Sequence, residues 1–371
     1  MNIQNNVFII CPGLGHVNRG YESFTQECFD TLKDNSSFNL LLIKGVGPTT
    51  NKNKTAFCLR RNSLFTKLLG KLINKEPYLI EQFSFFITLI PFLIIYKPKI
   101  IFYSDFNLGT FLWHLRKFLK FKYKLLFSNG APNGPPFTRT DHIQQHLPTH
   151  LARALNGGTS LEMQTLIPYG IKFAYSQLIA PKNESTAIKL KLNIPLEKKI
   201  ILSAGAVNKS HKRMDYLINE VALLSDEYYL IILGQYTSDT PFIQEMANRL
   251  LGNRCIISTV SNVEMPDYYN IADVFVLASL SEGLPRVLPE AMSFGLPCFV
   301  HDYPVTRETL EKFGFYVDAT VESALANSIA TYFSNILAFD RQQMKQFAYN
   351  KYSWDNLKEG YSMMINNLMI N

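Results

Sequence analysis

The chain has 371 residues, 47% hydrophobic and 18% charged, with a formal net charge of +7. That balance excludes a disordered chain, and the length suffices for two α/β domains. Five scattered cysteines, none in a C-x-x-C pair, exclude a disulfide framework or a zinc site and fit a reducing cytosol, while the positive charge favours anionic partners without choosing among nucleic acid, acidic lipid and phosphorylated small molecules.

Met1 to Asn6 is polar and the apolar run after it ends at a Pro-Gly turn, so no signal peptide is expected. The first predicted strand is Val7–Ile10. Directly after it comes Gly13-Leu14-Gly15-His16-Val17-Asn18-Arg19-Gly20, a glycine loop able to bring backbone close to a ligand. Its spacing is not G-x-G-x-x-G, so a dinucleotide site is not indicated, and a plain turn is the competing reading. A second strand is predicted at Asn39–Ile43.

Residues 60–75 carry Leu64, Phe65, Leu68, Leu69, Leu72 and Ile73 at helical spacing, with Arg60, Arg61, Lys67, Lys71 and Lys75 between them. Such a basic amphipathic helix either lies on an anionic membrane surface or packs on the core with solvated lysines. The apolar run 83–96 follows, interrupted by Pro91. It is shorter than the ~20 residues a spanning helix needs, so a buried helix is expected. That helix leads into a strand at Ile100–Tyr103, with Asp105 just beyond as an acceptor-side candidate. After strand Lys124–Phe127 the segment 128–145 reads as a long Asn-, Gly- and Pro-rich loop, a common place for function. Asp141 and His142 close it, and His142 is either a sugar contact or a structural histidine.

Proline then glycine in Ile167-Pro168-Tyr169-Gly170 marks a hinge, followed by a polar segment, Pro181–Leu196. The predicted organisation is an acceptor domain over 1–167, a donor domain over 168–345, and C-terminal helices over 346–371 that cross back to the first domain. The second half repeats the alternation with strands at Ile200–Ser203, Tyr229–Leu233, Cys255–Ser258, Val274–Leu277 and Cys298–Val300. Alternating strands and helices imply parallel sheets covered on both faces.

Two segments of this half point to chemistry. In residues 203–217 a strand ends at Gly205 and a basic loop opens a helix, which would set Lys212 and Arg213 in its first turn. Cations there are unfavourable against the helix dipole unless an anion is bound, and lysine and arginine both hold phosphate. A solvated surface pair is the alternative. In residues 281–297, Glu282 follows a strand and Glu290 lies eight residues later on a helix that stops at Gly295-Leu296-Pro297. Ligands bind beyond the carboxyl ends of strands in open α/β sheets. Amides of Gly283, Leu284 and Arg286 near the helix start favour a phosphate, and the carboxylates would accept hydroxyl hydrogens of a sugar and a ribose.

The second segment resembles the E-x7-E signature of retaining glycosyltransferases of family four. Residues 269–277 (YNIADVFVL) are similar to that family's strand, Glu290-Ala291-Met292 with Gly295-Leu296-Pro297 to its "EAma.G.Pvv", and Ile167–Gly170 to its interdomain link. The resemblance implies a GT-B fold: α/β, two Rossmann-like domains facing a cleft, with the C-terminal helix packing back on the first. It also implies transfer of a sugar from a nucleotide sugar to a hydroxyl acceptor (a glycan, a lipid-linked sugar or a small molecule), with retention and without metal or other cofactor. By that similarity Glu282 faces the transferred sugar, Glu290 the ribose, and Gly283 and Leu284 offer amides. Lys212 matches a diphosphate-gripping lysine, whereas Ala206 stands where that family has an arginine and Arg213 is the substitute. Gly205 and Gly15 border the donor, Thr259 and Val260 its base, and His16 and Asp141 the acceptor. Arg286 replaces a smaller residue and is expected to point outward.

No D-x-D, Walker A, G-x-S-x-G or metal-ligand spacing occurs. A nucleotide-sugar epimerase or hydrolase on the same fold stays open. A nucleic-acid-binding protein is disfavoured, because no basic stripe interleaved with aromatics is present. Cytoplasmic location is expected, with peripheral contact at an anionic membrane if residues 60–75 act there.

Overall fold

A computed structural model describes residues 5–17, 19–131, 133–173, 185–334 and 339–370. Asn18 of the glycine loop, Pro132 of the long loop and the first residues of the polar segment 181–196 lie outside them. The chain forms two compact units, Met1–Lys172 with Tyr352–Asn371, and Phe173–Lys351.

In the first unit the elements run β1 Asn6–Cys11, α1 Gly20–Leu32, β2 Asn39–Lys44, β3 Asn53–Thr55, α2 Leu64–Ile73, α3 Pro77–Tyr96, β4 Ile100–Tyr103, α4 Phe106–Leu119, β5 Lys124–Ser128, β6 His142–Gln145, α5 Pro148–Asn156 and β7 Gln164–Leu166. Its seven strands, all paired in parallel, are ordered β3-β2-β1-β4-β5-β6-β7. Strands such as β1 and β4 are apolar and buried throughout their centres, as a sheet covered on both faces requires.

The second unit holds α6 Ser185–Lys191, β8 Lys199–Ala204, α7 Met214–Ala222, β9 Tyr228–Leu233, α8 Thr240–Leu251, β10 Cys255–Ser258, α9 Met265–Ile271, β11 Val274–Leu277, α10 Val287–Ser293, β12 Cys298–His301, α11 Pro304–Leu310, β13 Gly314–Val317, α12 Ala324–Ser334 and α13 Arg341–Tyr352. Its parallel sheet has the order β10-β9-β8-β11-β12-β13. Each unit therefore repeats the 3-2-1-4-5-6 strand order of a Rossmann sheet, so the predicted α/β class with two Rossmann-like units is what the chain adopts. The order reverses between β1 and β4 in one sheet and between β8 and β11 in the other.

The last helix, α14 Trp354–Ile370, belongs to the first unit, as expected. Trp354 and Tyr361 lie against Phe24 of α1, with ring centroids 5.9 and 6.0 Å apart, and Asn35 donates to the Ser362 hydroxyl at 2.9 Å. Gly170 is required beside this helix, because a Cβ there would meet the Trp354 ring at 2.4 Å.

Two expectations change. The apolar run is part of a longer helix: α3 begins at Pro77, where a proline suits the first turn, and spans 20 residues. It is therefore long and apolar enough to cross a membrane, and the length argument fails. The expected burial holds on one face only: Phe85, Leu89 and Leu93 pack with Phe8, Ile10 and Ile101 of the sheet, while Phe83, Ile87, Ile94 and Ile95 are exposed. The segment 128–145 is not a loop throughout, since its end forms β6 beside β5.

Candidate functional site

In the second unit, the loops after β8 and β11 leave neighbouring strands at the point where strand order reverses, which is where a crevice opens in such sheets. The loop after β8 passes close under its own lysine. A Cβ at Gly205 would lie 2.9 Å from both Cδ and Cε of Lys212, so only glycine admits the stem without displacement. The Asn208 side-chain oxygen accepts from the amides of His211 (3.2 Å) and Lys212 (2.8 Å) and fixes the loop. The Lys212 ammonium then meets the Glu282 carboxylate from the loop after β11. Their side chains retain only 14% and 9% exposure, so the pair is nearly desolvated and each charge needs the other. His211 Nε2 lies 3.7 Å from the same carboxylate and 3.2 Å from the Ser281 carbonyl. Tyr303 borders it as well; burial and the Glu282 charge push its phenol up.

Glu290 sits on α10. The Tyr269 hydroxyl donates to its Oε2 at 3.1 Å, and Arg286 Nη2 lies 3.7 Å from its Oε1. Burial, then the Glu290 charge, raises the Tyr269 phenol well above its ordinary range, so it stays a donor. Gly283 and Leu284 are in the β11–α10 loop, with the Leu284 side chain buried. The Thr259 hydroxyl beyond β10 donates to the Gly234 carbonyl at 2.6 Å, and Val260 packs on the core. Gly234 in turn approaches the Gly205 carbonyl so closely that a Cβ would lie 1.6 Å from it.

Three expectations are corrected here. Lys212 and Arg213 precede α7 rather than forming its first turn, because Arg213 takes a left-handed conformation (φ 52°) at the helix start. Arg213 turns away from Glu282: its Nη1 donates to the Ala319 carbonyl at 2.7 Å and its guanidinium lies 4.4 Å from the Tyr216 ring. Arg286 does not point outward but is buried at 5% exposure, within reach of Glu290. The sequence reading passed over Asn208, His211, Tyr269 and Tyr303. His211 adjoins Lys212 and was visible as a neighbour; Tyr269 opens the motif 269–277 but was given no contact there, and nothing local marked Tyr303.

The first unit carries a second polar group at the reversal between β1 and β4. Gly15 has φ 97°, and a Cβ there would lie 2.3 Å from the Val46 carbonyl oxygen. His16 Nε2 is 2.7 Å from Glu81 Oε1, which also accepts from the Arg61 amide at 2.9 Å, while Arg61 Nε donates to Oε2 at 2.6 Å. Burial opposes the Glu81 charge, but the bonds from His16 and Arg61 win and hold its carboxyl below the usual range. Asp105 is buried beside Tyr78, whose hydroxyl donates to it; burial outweighs that bond and raises its carboxyl. Among the described residues His16, Cys58 and Glu81 could gather a metal, their ligand atoms lying within 4.8 Å of one another. Glu81 already accepts from His16 and Arg61, and the guanidinium there opposes a cation.

Asp141 and His142 are corrected too. They stand at the amino end of β6, opposite Leu126 of β5, and not at the carboxyl edge where the glycine loop and Asp105 lie. The Asp141 carboxylate accepts from Arg116 and, at 2.7 Å, from the Leu125 amide. His142 Nε2 lies 2.8 Å from the Thr165 hydroxyl, and burial lowers its pKa. Both are tied into the sheet.

Residues 184–354 match the family model of glycosyl transferases group 1. A 129-residue stretch is 31% identical to an uncharacterized glycosyltransferase of Haemophilus influenzae, covering 34% of this chain and 36% of that protein. A 166-residue stretch is 27% identical to the O-antigen chain mannosyltransferase RfbU of Salmonella typhimurium, covering 42% and 47%. The chain thus spans about a third to a half of the length of the curated relatives it matches. Among solved structures, sucrose-phosphate synthase from Thermosynechococcus elongatus superposes with a TM-score of 0.79 at 16% identity, over 99% of this chain and 100% of that one. Anabaena HepE in complex with UDP and glucose gives 0.73 at 13% identity, over 98% and 100%. The fold of this chain is the two-Rossmann, GT-B-type fold of these structures, and its residues 184–354 are similar to group 1 glycosyl transferases.

Proposed function

We propose that the chain is a nucleotide-sugar-dependent glycosyltransferase whose second unit grips the donor at the β8–β11 reversal. The observation that carries this reading is the nearly buried Lys212–Glu282 pair, with Glu290 following on α10. A diphosphate arriving there takes Lys212 as its counter-ion, and Glu282 turns to hydroxyls of the transferred sugar. Glu290, oriented by Tyr269, accepts from the ribose diol. Loop amides at Gly283 and Leu284 add donors, and Thr259 and Val260 border the base. Arg213, held by Ala319, orients α7 rather than the phosphate.

As the glycosidic bond breaks, negative charge grows on the departing diphosphate. A fixed ammonium aimed there stabilises the transition state more than the ground state, an effect typically about 10²–10³ in rate for one such donor. Lys212 supplies that charge in this reading, and no metal ion is assigned to the step. Retention of configuration rests on the E-x7-E resemblance. HepE has been solved with UDP and with UDP-glucose, so UDP-sugars are the first donors to test. The acceptor is a hydroxyl compound, and His16 and Asp105 at the β1–β4 reversal are its proposed contacts. The enzyme works on the cytoplasmic side.

The test is turnover of radiolabelled nucleotide sugars with candidate glycan and lipid-linked acceptors. Label moving to an acceptor, and lost in Lys212→Ala, supports the proposal. Epimerised donor without transfer, or wild-type rates in Lys212→Ala, overturns it.

A further inference from the structure

Helix α2 is turned inside out relative to an ordinary surface helix. Its two buried residues are Thr66 and Gly70, small enough to let it lie close on the start of α3: a Cβ at Gly70 would meet the Lys75 carbonyl oxygen at 2.6 Å and Ile80 Cδ1 at 3.5 Å. Its large apolar side chains face solvent instead, with Leu64 79% and Leu72 83% exposed and Phe65, Leu68 and Ile73 also open. At about 100° per residue, Leu64, Leu68, Leu72 and Phe65 share one arc, roughly opposite Thr66 and Gly70. Lys67 and Lys71 fall along one margin of that arc, and Arg60 and Lys75 lie exposed just beyond the helix ends. α3, packed beneath, adds an outer row of exposed Phe83, Ile87, Ile94 and Ile95.

We infer that α2 is a peripheral membrane anchor: its apolar arc enters an anionic leaflet and its lysines stay at the headgroups. Lone exposed apolar residues need no explanation, but a whole helix face of them rimmed by cations does. An amphipathic helix with lysines beside its apolar face lies in the interface plane, and each lysine adds attraction to anionic lipid. The charge argues against a second copy of this chain on the same face, because a symmetric pair would oppose lysine to lysine. α3 does not span the bilayer, since Phe85, Leu89 and Leu93 would have to leave the sheet. The inference is independent of the sugar-transfer reading, since it concerns only where this unit sits.

The experiment is co-sedimentation of the full chain, without nucleotide sugar, with vesicles of phosphatidylcholine alone or mixed with phosphatidylglycerol. Wild type is expected to bind the mixed vesicles and to be released by salt. Lys67→Glu/Lys71→Glu and Leu68→Ser/Leu72→Ser should each weaken that binding by about tenfold or more. Both pairs are exposed, so their melting temperatures should match wild type. The inference is overturned if wild type ignores anionic vesicles or if either double variant binds as wild type does. A dimer by light scattering that Leu68→Ser/Leu72→Ser converts to monomer, without vesicle binding, overturns it in favour of a second copy.

Discussion

The Lys212 ammonium and the Glu282 carboxylate, 70 residues apart in sequence, meet as a nearly buried ion pair because β8 and β11 are neighbours at the reversal of strand order. A pair in this position stores a cation that a stronger anion can claim. In the proposed reading Glu282 both competes for Lys212 and contacts the sugar, so the two residues should respond differently to substitution.

Glu282→Gln removes the internal partner of Lys212 and leaves the ammonium seeking an anion. Nucleoside diphosphate affinity should rise, while sugar transfer falls by about 10²–10³ as the oriented carboxylate is lost. Calorimetric titration with the diphosphate and an initial-rate assay read the two effects separately. Parallel losses in both would contradict the competition.

Gly205→Ala tests the same lysine without touching a charge. Its Cβ would press on the Lys212 stem at 2.9 Å. Diphosphate binding is expected to weaken by about tenfold through the displaced ammonium, and the melting temperature to fall as well, because φ is 156° at this position and strains any residue that carries a Cβ. Unchanged affinity would mean that the lysine does not work from this position.

Tyr269→Phe deletes the bond to Glu290 Oε2 while keeping the ring. A hydrogen bond to a charged group contributes about 1.5–3 kcal/mol, partly recovered here by water at the more open Glu290. The variant should fold, lose about 1 kcal/mol in urea unfolding, and bind nucleoside diphosphates more weakly than wild type. If ribose recognition runs through Glu290, a Glu290→Gln, Tyr269→Phe double variant should be no worse than Glu290→Gln alone.

His146 predicts how the first unit behaves in acid. It is buried between the Ser128 hydroxyl and the Ile167 carbonyl, and burial, with the neighbouring His150 charge, lowers its pKa to about 3. The folded chain therefore binds fewer protons at this site than the unfolded chain, whose histidine titrates near ~6.5. Its contribution is complete above that value and is lost as pH falls toward about 3, at about 1.4 kcal/mol per pH unit. Urea unfolding between pH 7 and pH 5 should show a shallower decline in His146→Gln than in wild type.

Much of the fold was legible because it rests on long apolar strands at regular spacing. The strands that escaped notice, β3, β6, β7 and β13, have only three or four residues; the first three are largely polar, whereas β13 (Gly-Phe-Tyr-Val) is apolar and short. Glu282, Glu290 and Lys212 could be picked out because each follows a strand of the second sheet. Arg213 and Arg286 could not be placed, since their direction depends on backbone detail: one left-handed residue at the start of α7 swings Arg213 onto Ala319. Asp141 and His142 were misread because β6 was taken for loop, which concealed that they stand at its amino end. The outward face of α2 was visible as a pattern, but only the burial of Thr66 and Gly70 showed which side faces the protein.

The most direct measurement is a thermal-shift panel of nucleoside diphosphates and nucleotide sugars on wild type and Lys212→Ala, since a ligand that binds the folded state raises its melting temperature by mass action. A shift with at least one nucleoside diphosphate in wild type, abolished in Lys212→Ala, is the predicted result. No shift with any of them, or one that persists undiminished without Lys212, would contradict the account.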